Sequence, residues 1–496
     1  MNRGWILPFL VIVVVAGCRS SPESLTVTLS ASSTALATAV ALAEEVPDPA
    51  RRAEVLAIIT EGFLQTQNRA DALQVVAEAA RLVNDIPIST DVVRLQLWIA
   101  ELLLAADEAD VARRLIVEAT TFTQTLRDEA VRADLLPVIV QAAIVGEDDT
   151  RDLLPAAVDP VYIIEDTSLR AQTFIAIAEA YQLVGVGQSV VGLIQQAIPA
   201  IRSVADPFRR AFLFAGLSSR AVAAGEHDLA RALVEDAEEQ LIDGMVNADP
   251  DPDTVAAVLQ AVTRERGGSE AMLSISAFRD RHARAVGYLA VAVAEGAGSS
   301  AELALGLAVE SAYYIADPDS YGTLMTSISH AYLSMGLRAE SLETAEYAAA
   351  RLSENQTAMS NAETLGRLAG VYALLDRTDL LRRYLRQIEA PYLHGLILVA
   401  VAELLIDEGQ QGVADDFLVD ALLEADNSDF LSDSLREKIV REFARSGNYS
   451  LAIRTVERMS DPSLRAKAVA FLGFHADPNG GLSDSQLRDL QEVLES

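Results

Sequence analysis

An all-α array of helical hairpins is the fold class this 496-residue sequence predicts, on three observations. A short frame of small, bulky and turn residues recurs along the chain at a mean spacing of 38 residues. Each recurrence accommodates two apolar-faced helices of about 14–16 residues joined by a tight turn. Helix-start signals, above all Asp-Pro, fall between the recurrences. Hydrophobic residues make up 51% of the chain and charged residues 22%, so such an array can bury a continuous core.

The amino end comes first in order. Arg3 and the terminus form a positive stretch, followed by an unbroken apolar run from Trp5 to Ala16. Twelve residues of helix cannot cross about 30 Å of hydrocarbon, so the run reads as a secretory signal over residues 1–17. It ends in Val15-Ala16-Gly17-Cys18, which resembles the lipobox of bacterial lipoproteins. The resemblance implies that Cys18 becomes the lipidated amino terminus. Arg19 rather than Asp after that cysteine implies an outer-membrane anchor facing the periplasm if the source has two membranes. With a single membrane, the anchor would sit on the outer face of the cytoplasmic membrane. An ordinary cleaved signal is the alternative, although the chain's only cysteine stands where the motif needs one. Residues 18–29 then form a polar tether, and residues 30–45 resemble the second helix of a unit and are expected to cap the amino end.

Beyond residue 45 the repeats occupy the chain. Ala178, Tyr181, Gly185, Val190 and Ala197 give the frame, and its turn residue recurs at Gln67, Asp107, Gly146, Gly225, Gly267, Gly296, Gly336, Asp376, Gly409 and Gly447, with a truncated unit around Gly480. Small residues stand after the turns at fixed places, among them Ala72 and Ala79, Ala112 and Ala119, and Ala414 and Ala421. The combination resembles tetratricopeptide repeats over roughly residues 46–480, with units about four residues longer and without the Trp that often opens them. That resemblance implies a superhelical solenoid of about 11–12 units. Regularity slips near Met245–Asp280, which divides a first segment, 46–280, from a second, 281–496, whose polar end is expected to cap the array. Six Asp residues carry Arg four positions on, as in Asp206/Arg210, and are expected to pair on the first helical turn.

Chemistry is sparse. With 39 Lys+Arg against 72 Asp+Glu, the net charge of −33 excludes a nucleic-acid reader. One cysteine excludes a disulfide framework or a Cys-based metal site, and no histidine lies three or four residues from another. No nucleophile elbow, phosphate loop or dinucleotide fingerprint is present, so neither catalysis nor a cofactor is expected. Asp249-x-Asp251-x-Asp253 resembles the opening of a calcium loop but lacks its Gly and terminal Glu, and a capped turn accounts for it better than a weak cation site.

In tetratricopeptide-like arrays the first helices line the concave face. One position there holds Glu61, Glu101, Glu179 and Glu403, with His330 and Arg441 at the same place elsewhere. An acidic ladder of this kind would steer protein or peptide partners with basic segments. The sequence therefore predicts a lipid-anchored scaffold of the cell envelope. A small-molecule or glycan receptor is the alternative, disfavoured by only 5% aromatic residues. Tyr181, Tyr332 and Tyr372 recur at one place and are expected to pack within hairpins.

Overall fold

The computed structural model describes residues 34–146, 150–183, 187–246, 248–353, 362–386, 388, 390–428, 431–476 and 481–495. Cys18, the signal, the tether, Gly185 and Gly480 lie outside them. The described residues form 25 α-helices, and no helix among them is long and apolar enough to cross a membrane.

Twelve are first helices of hairpins: α2 (Pro49–Gln65), α4 (Thr90–Ala105), α6 (Glu129–Val145), α8 (Thr167–Leu183), α10 (Pro207–Ala223), α12 (Pro252–Arg266), α14 (Arg281–Glu295), α16 (Pro318–Ser334), α18 (Ala362–Leu374), α20 (Pro391–Asp407), α22 (Ser432–Ser446) and α24 (Pro462–Ala476). Eleven are followed by a second helix: α3 (Arg69–Asn84), α5 (Ala109–Thr125), α7 (Leu154–Val158), α9 (Gly187–Arg202), α11 (His227–Met245), α13 (Gly268–Ile275), α15 (Ser299–Ala312), α17 (Arg338–Ser353), α19 (Thr378–Leu385), α21 (Gln411–Asp426) and α23 (Tyr449–Val456). Helices α1 (Ala35–Glu44) and α25 (Asp484–Glu495) flank this series.

Each first helix packs on the next, from α2 through to α24, and α24 packs in turn on α2. The array is a closed ring. First helices touch their successors all the way round, whereas second helices pack chiefly on first helices. The more closely spaced layer has the smaller circumference, so the first helices form the inner layer. Twelve units closing a circle turn by about 30° each, a small per-repeat rotation of the kind that curves every solenoid.

Closure changes the role of the amino end. The helix expected to cap an open array packs along α24 as its second helix, completing the last unit from the other end of the chain. The seam is tight: a Cβ on Gly473 would lie 2.7 Å from Leu36 Cγ, and one on Gly62 2.6 Å from Leu36 Cδ2. Arg465 meets Glu45 at 2.8 Å and Lys467 meets Glu54 at 2.7 Å. The inner layer also runs through the irregular stretch near 245–280 without a break, α12 packing on both α10 and α14.

The frame has a physical reading at each of its places. Gln67, Asp107, Gly225, Gly336, Asp376, Gly409 and Gly447 have φ between 58° and 85°. After each, the next N–H returns to the carbonyl five residues earlier, as from Asn68 to Phe63 and from Arg377 to Tyr372, both at 2.8 Å. Left-handed closure satisfies carbonyls that the helix end leaves orphaned. Three turn residues depart from the pattern: Gly146, with φ −76°, and Gly267 and Gly296, whose ψ of 158° and −137° are not those of a left-handed turn. The small positions, Ala72 to Ala452 and Ala79 to Ala421, are fully buried wherever they recur, which lets paired helices approach closely. Tyr181, Tyr332 and Tyr372 are buried too, as expected for hairpin packing.

Asp residues cap first helices: Asp48 accepts from the N–H groups of Ala50 and Arg51, and Asp317 from that of Ser320. The arginines four residues on do not pair with them. Arg170 donates to the Ile164 carbonyl, Arg210 to those of Val204 and Ala205, and Arg284 to that of Arg279. Arg52 reaches Glu78, and Arg465 reaches Glu45. The cap carboxylate is already engaged by first-turn amides, so the guanidinium turns back to satisfy the incoming loop instead.

Candidate functional site

The six positions singled out from the sequence all lie on first helices, and so on the inner layer: Glu61 on α2, Glu101 on α4, Glu179 on α8, His330 on α16, Glu403 on α20 and Arg441 on α22. Glu179, His330 and Glu403 are exposed, and the other three are half-buried.

Each glutamate meets the first helix of the following unit. The Trp98 indole N–H donates to Glu61 Oε1 at 2.8 Å. Glu101 is hydrogen-bonded by Gln141, and burial pushes its carboxyl above the usual range, with the charge of Glu61 acting in the same direction and Gln141 against it. Arg220 lies 2.9 Å from Glu179. Arg445 lies 3.6 Å from Glu403 while also gripping Asp407 and Glu442. The ladder therefore ties successive inner helices together while leaving Glu179 and Glu403 about half exposed.

Sequence reasoning missed these partners. Trp98, Gln141, Arg220 and Arg445 stand nine, five, five and two residues before their turn residues, so no single repeat position marks them. A search for complementary residues about 40 positions downstream of each glutamate finds them.

The remaining positions differ. The Arg441 guanidinium lies 4.0 Å from the centre of the Phe471 ring on α24 and 3.7 Å from Glu437. Burial raises the Glu437 carboxyl, opposed by Arg441, Lys438 and Lys467. Burial of His475 lowers its imidazole, and Arg445 and Arg441 lower it further. Between the acidic positions the inner layer carries Ser219, Ala261, Ala290 and Gly370 at the ladder place.

Asp251 accepts from the N–H and hydroxyl of Thr254 and caps α12, as a capped turn requires. Among the described residues, no three His, Cys, Asp or Glu side chains converge to hold a metal ion.

No family model matches the chain, and no curated protein does. Solved structures do resemble it. Ton1535 from Thermococcus onnurineus NA1 is 16% identical, with 76% of this chain and 99% of that one covered and a TM-score of 0.27. A signal-transduction ATPase with numerous domains and a tetratricopeptide-repeat sensor, from Pyrococcus horikoshii, is 12% identical over 80% of this chain and 65% of its own, at 0.27. The Cut9–Hcn1 hetero-tetramer of the APC/C is 12% identical over 80% and 85%, at 0.21. Superposition is poor throughout, so the hairpin architecture stands on the helix packing itself. The chain is an all-α repeat protein built of helical hairpins.

Proposed function

We propose that this protein is a non-catalytic, lipid-anchored scaffold of the cell envelope that binds protein or peptide partners with basic segments through its inner layer. One observation carries the reading: Glu179 and Glu403 keep half-exposed carboxylates on the inner layer even though each is tied to an arginine of the next unit. A carboxylate that orders the ring and still meets solvent can trade an internal cation for one brought by a partner. The net charge of −33 adds a long-range field favouring such partners. The anchor rests on the lipobox-like run ending in Cys18.

The test is in-cell crosslinking of the membrane-anchored protein beside a variant with Glu61, Glu101, Glu179 and Glu403 changed to Gln. Glutamine keeps a hydrogen-bond acceptor at each tie, so the ring should survive. A defined partner lost in the variant supports the inner-layer reading. A partner retained by both moves the contact to another face. Anchoring is read separately, by whether Cys18→Ser leaves the protein in the soluble fraction.

The receptor reading retains one observation in its favour. Tyr313 and Tyr314 are 72% and 58% exposed and meet edge to face at 5.6 Å in an aromatic-poor chain. The Arg281 guanidinium lies 3.9 Å over the Tyr314 ring, so titration with neutral oligosaccharides, comparing the parent with Tyr313→Ala, decides whether Tyr313 is a stacking surface.

A further inference from the structure

The outer layer is uneven. Helix α17 has 16 residues and α21 has 16, but α19 between them has only eight, about 12 Å of helix. The half of the outer layer far from the α18–α19 turn is therefore left without α19. A notch of about 410 Å³ opens there, between the end of α19, the first half of α20 and the second half of α21.

The walls of the notch specify an occupant. Leu398 and Phe417 form a buried apolar floor, and Leu423 beside them is 59% exposed. Arg382 and Arg386 stand one helical turn apart on one rim. Asp420 and Glu424 stand one turn apart on the other. A helix lying in the notch presents side chains at that same one-turn spacing along both flanks. One existing contact across the notch is weak enough to exchange. Arg382 and Asp420 meet at 3.9 Å with both side chains about half exposed, a pairing worth little in water. His394 Nδ1 lies 3.1 Å from Glu424.

The ring already seats one helix in this manner. Helix α23 is as short as α19, and α25 lies against α23 and α1 with Leu490 and Val493 buried and Arg488, Asp489 and Glu492 exposed. An amphipathic helix docked on shortened outer structure is thus a device the chain itself uses.

We infer that the α19–α21 notch is a docking groove for an amphipathic helix of a partner protein. Its apolar stripe covers Leu423 above the buried Leu398–Phe417 floor, one acidic flank meets Arg382 and Arg386, and one basic flank meets Asp420 and Glu424. The inference deepens the scaffold reading but uses the outer face, so the inner-layer glutamate variants leave it unaffected and the two can fail separately.

The experiment titrates the full chain into a fluorescein-labelled helical peptide of about 14 residues carrying leucines on one face, glutamates on one flank and lysines on the other. A peptide of the same composition with scrambled order is the control. Saturable binding of the patterned peptide is expected, with affinity reduced at least about tenfold by Leu423→Arg and unchanged by Leu303→Arg on α15. Changing Arg382 and Arg386 together to Glu should weaken the mixed-flank peptide and favour one with lysines on both flanks. Equal binding of patterned and scrambled peptides, or indifference to Leu423→Arg, overturns the inference. Concentration-dependent dimerisation in sedimentation that Leu423→Arg removes would also overturn it, assigning the notch to a second copy.

Discussion

The α24–α1 hairpin and the α10–α11 hairpin solve one packing problem with different connectivity. In the second, a short turn at Gly225 joins the helices, and Gly244 of α11 lies beneath Phe208 of α10. In the first, Gly473 of α24 lies beneath Leu36 of α1, but the two helices come from opposite ends of the chain, and the Arg465–Glu45 contact spans 420 residues. Local chemistry is the same in kind: a glycine accommodates a bulky neighbour, and Ala-rich faces meet closely. The seam differs in that no turn holds its helices together. Bringing them together costs loop-closure entropy that grows slowly with length, and side-chain contacts alone must offset it. Seam contacts thus determine whether the molecule is a ring, whereas those in α10–α11 determine only how stable one unit is.

The most far-reaching expected effect comes from refilling the two glycines, because a change at the seam reaches both helices that close the ring. A Cβ at Gly473 would meet the Leu36 backbone N at 3.2 Å as well as its side chain, whereas at Gly244 it meets only the Phe208 ring, which can tilt. Gly473→Val should therefore cost about 3 kcal/mol and abolish hydrogen-exchange protection in both α1 and α24, with Gly244→Val milder and local to its hairpin. If protection at the seam survives Gly473→Val, the ring does not depend on this contact.

A matched truncation sharpens the comparison. Leu36 and Leu217 are both buried, one at the seam and one in α10. Each change to Ala should cost about 2 to 5 kcal/mol. Only Leu36→Ala should make α1 the first segment to exchange in native-state measurements, because no covalent turn holds it in place.

Smaller effects come from turns and charges. Gln67 closes its hairpin at φ 58°, a conformation that costs an L residue about 1 kcal/mol, so Gln67→Gly should raise stability by about 0.5 to 1 kcal/mol in urea unfolding. Nothing comparable is available at the seam, which has no such turn. Lys467→Met removes the seam contact with Glu54 and one of the cations facing the buried Glu437, and should cost about 1 kcal/mol, part of it shrinking as salt rises.

The inner ladder should respond to pH. The Glu101 carboxyl is held above its usual range chiefly by burial, so the fold disfavours its charged form. Its folded-state pKa exceeds the unfolded one, so stability rises as pH falls through the folded value. Glu101→Gln should accordingly be more stable than the parent at pH 7, with the gap closing in mild acid. A gap independent of pH would separate the substitution's effect from this charge.

Much of the hairpin was legible. The turn residues are readable because left-handed closure demands Gly or a tolerant polar residue at one place, and the Ala positions because two helices in contact leave room for nothing larger. Asp-Pro announced first-helix starts at Asp48, Asp206 and Asp317 for the same local reason. The arginines after the caps were misread because helical spacing predicts what two side chains can reach, not which competing carbonyl an incoming loop leaves unsatisfied. The ladder glutamates were visible as a repeated position, but their partners were not, because Trp98, Gln141, Arg220 and Arg445 differ in chemistry and reach them from three different places in the repeat.

By itself the sequence determined the helical hairpin, its length, its buried small residues and its acidic character, since each depends on contacts within about 40 residues. Only the tertiary structure decided that the array closes, that α1 completes the unit begun by α24, and that the shortened α19 leaves a notch. Those features depend on the sum of twelve small inter-unit rotations, and a few degrees per unit, set by side-chain shape and invisible in a repeat frame, separate a ring from an open superhelix.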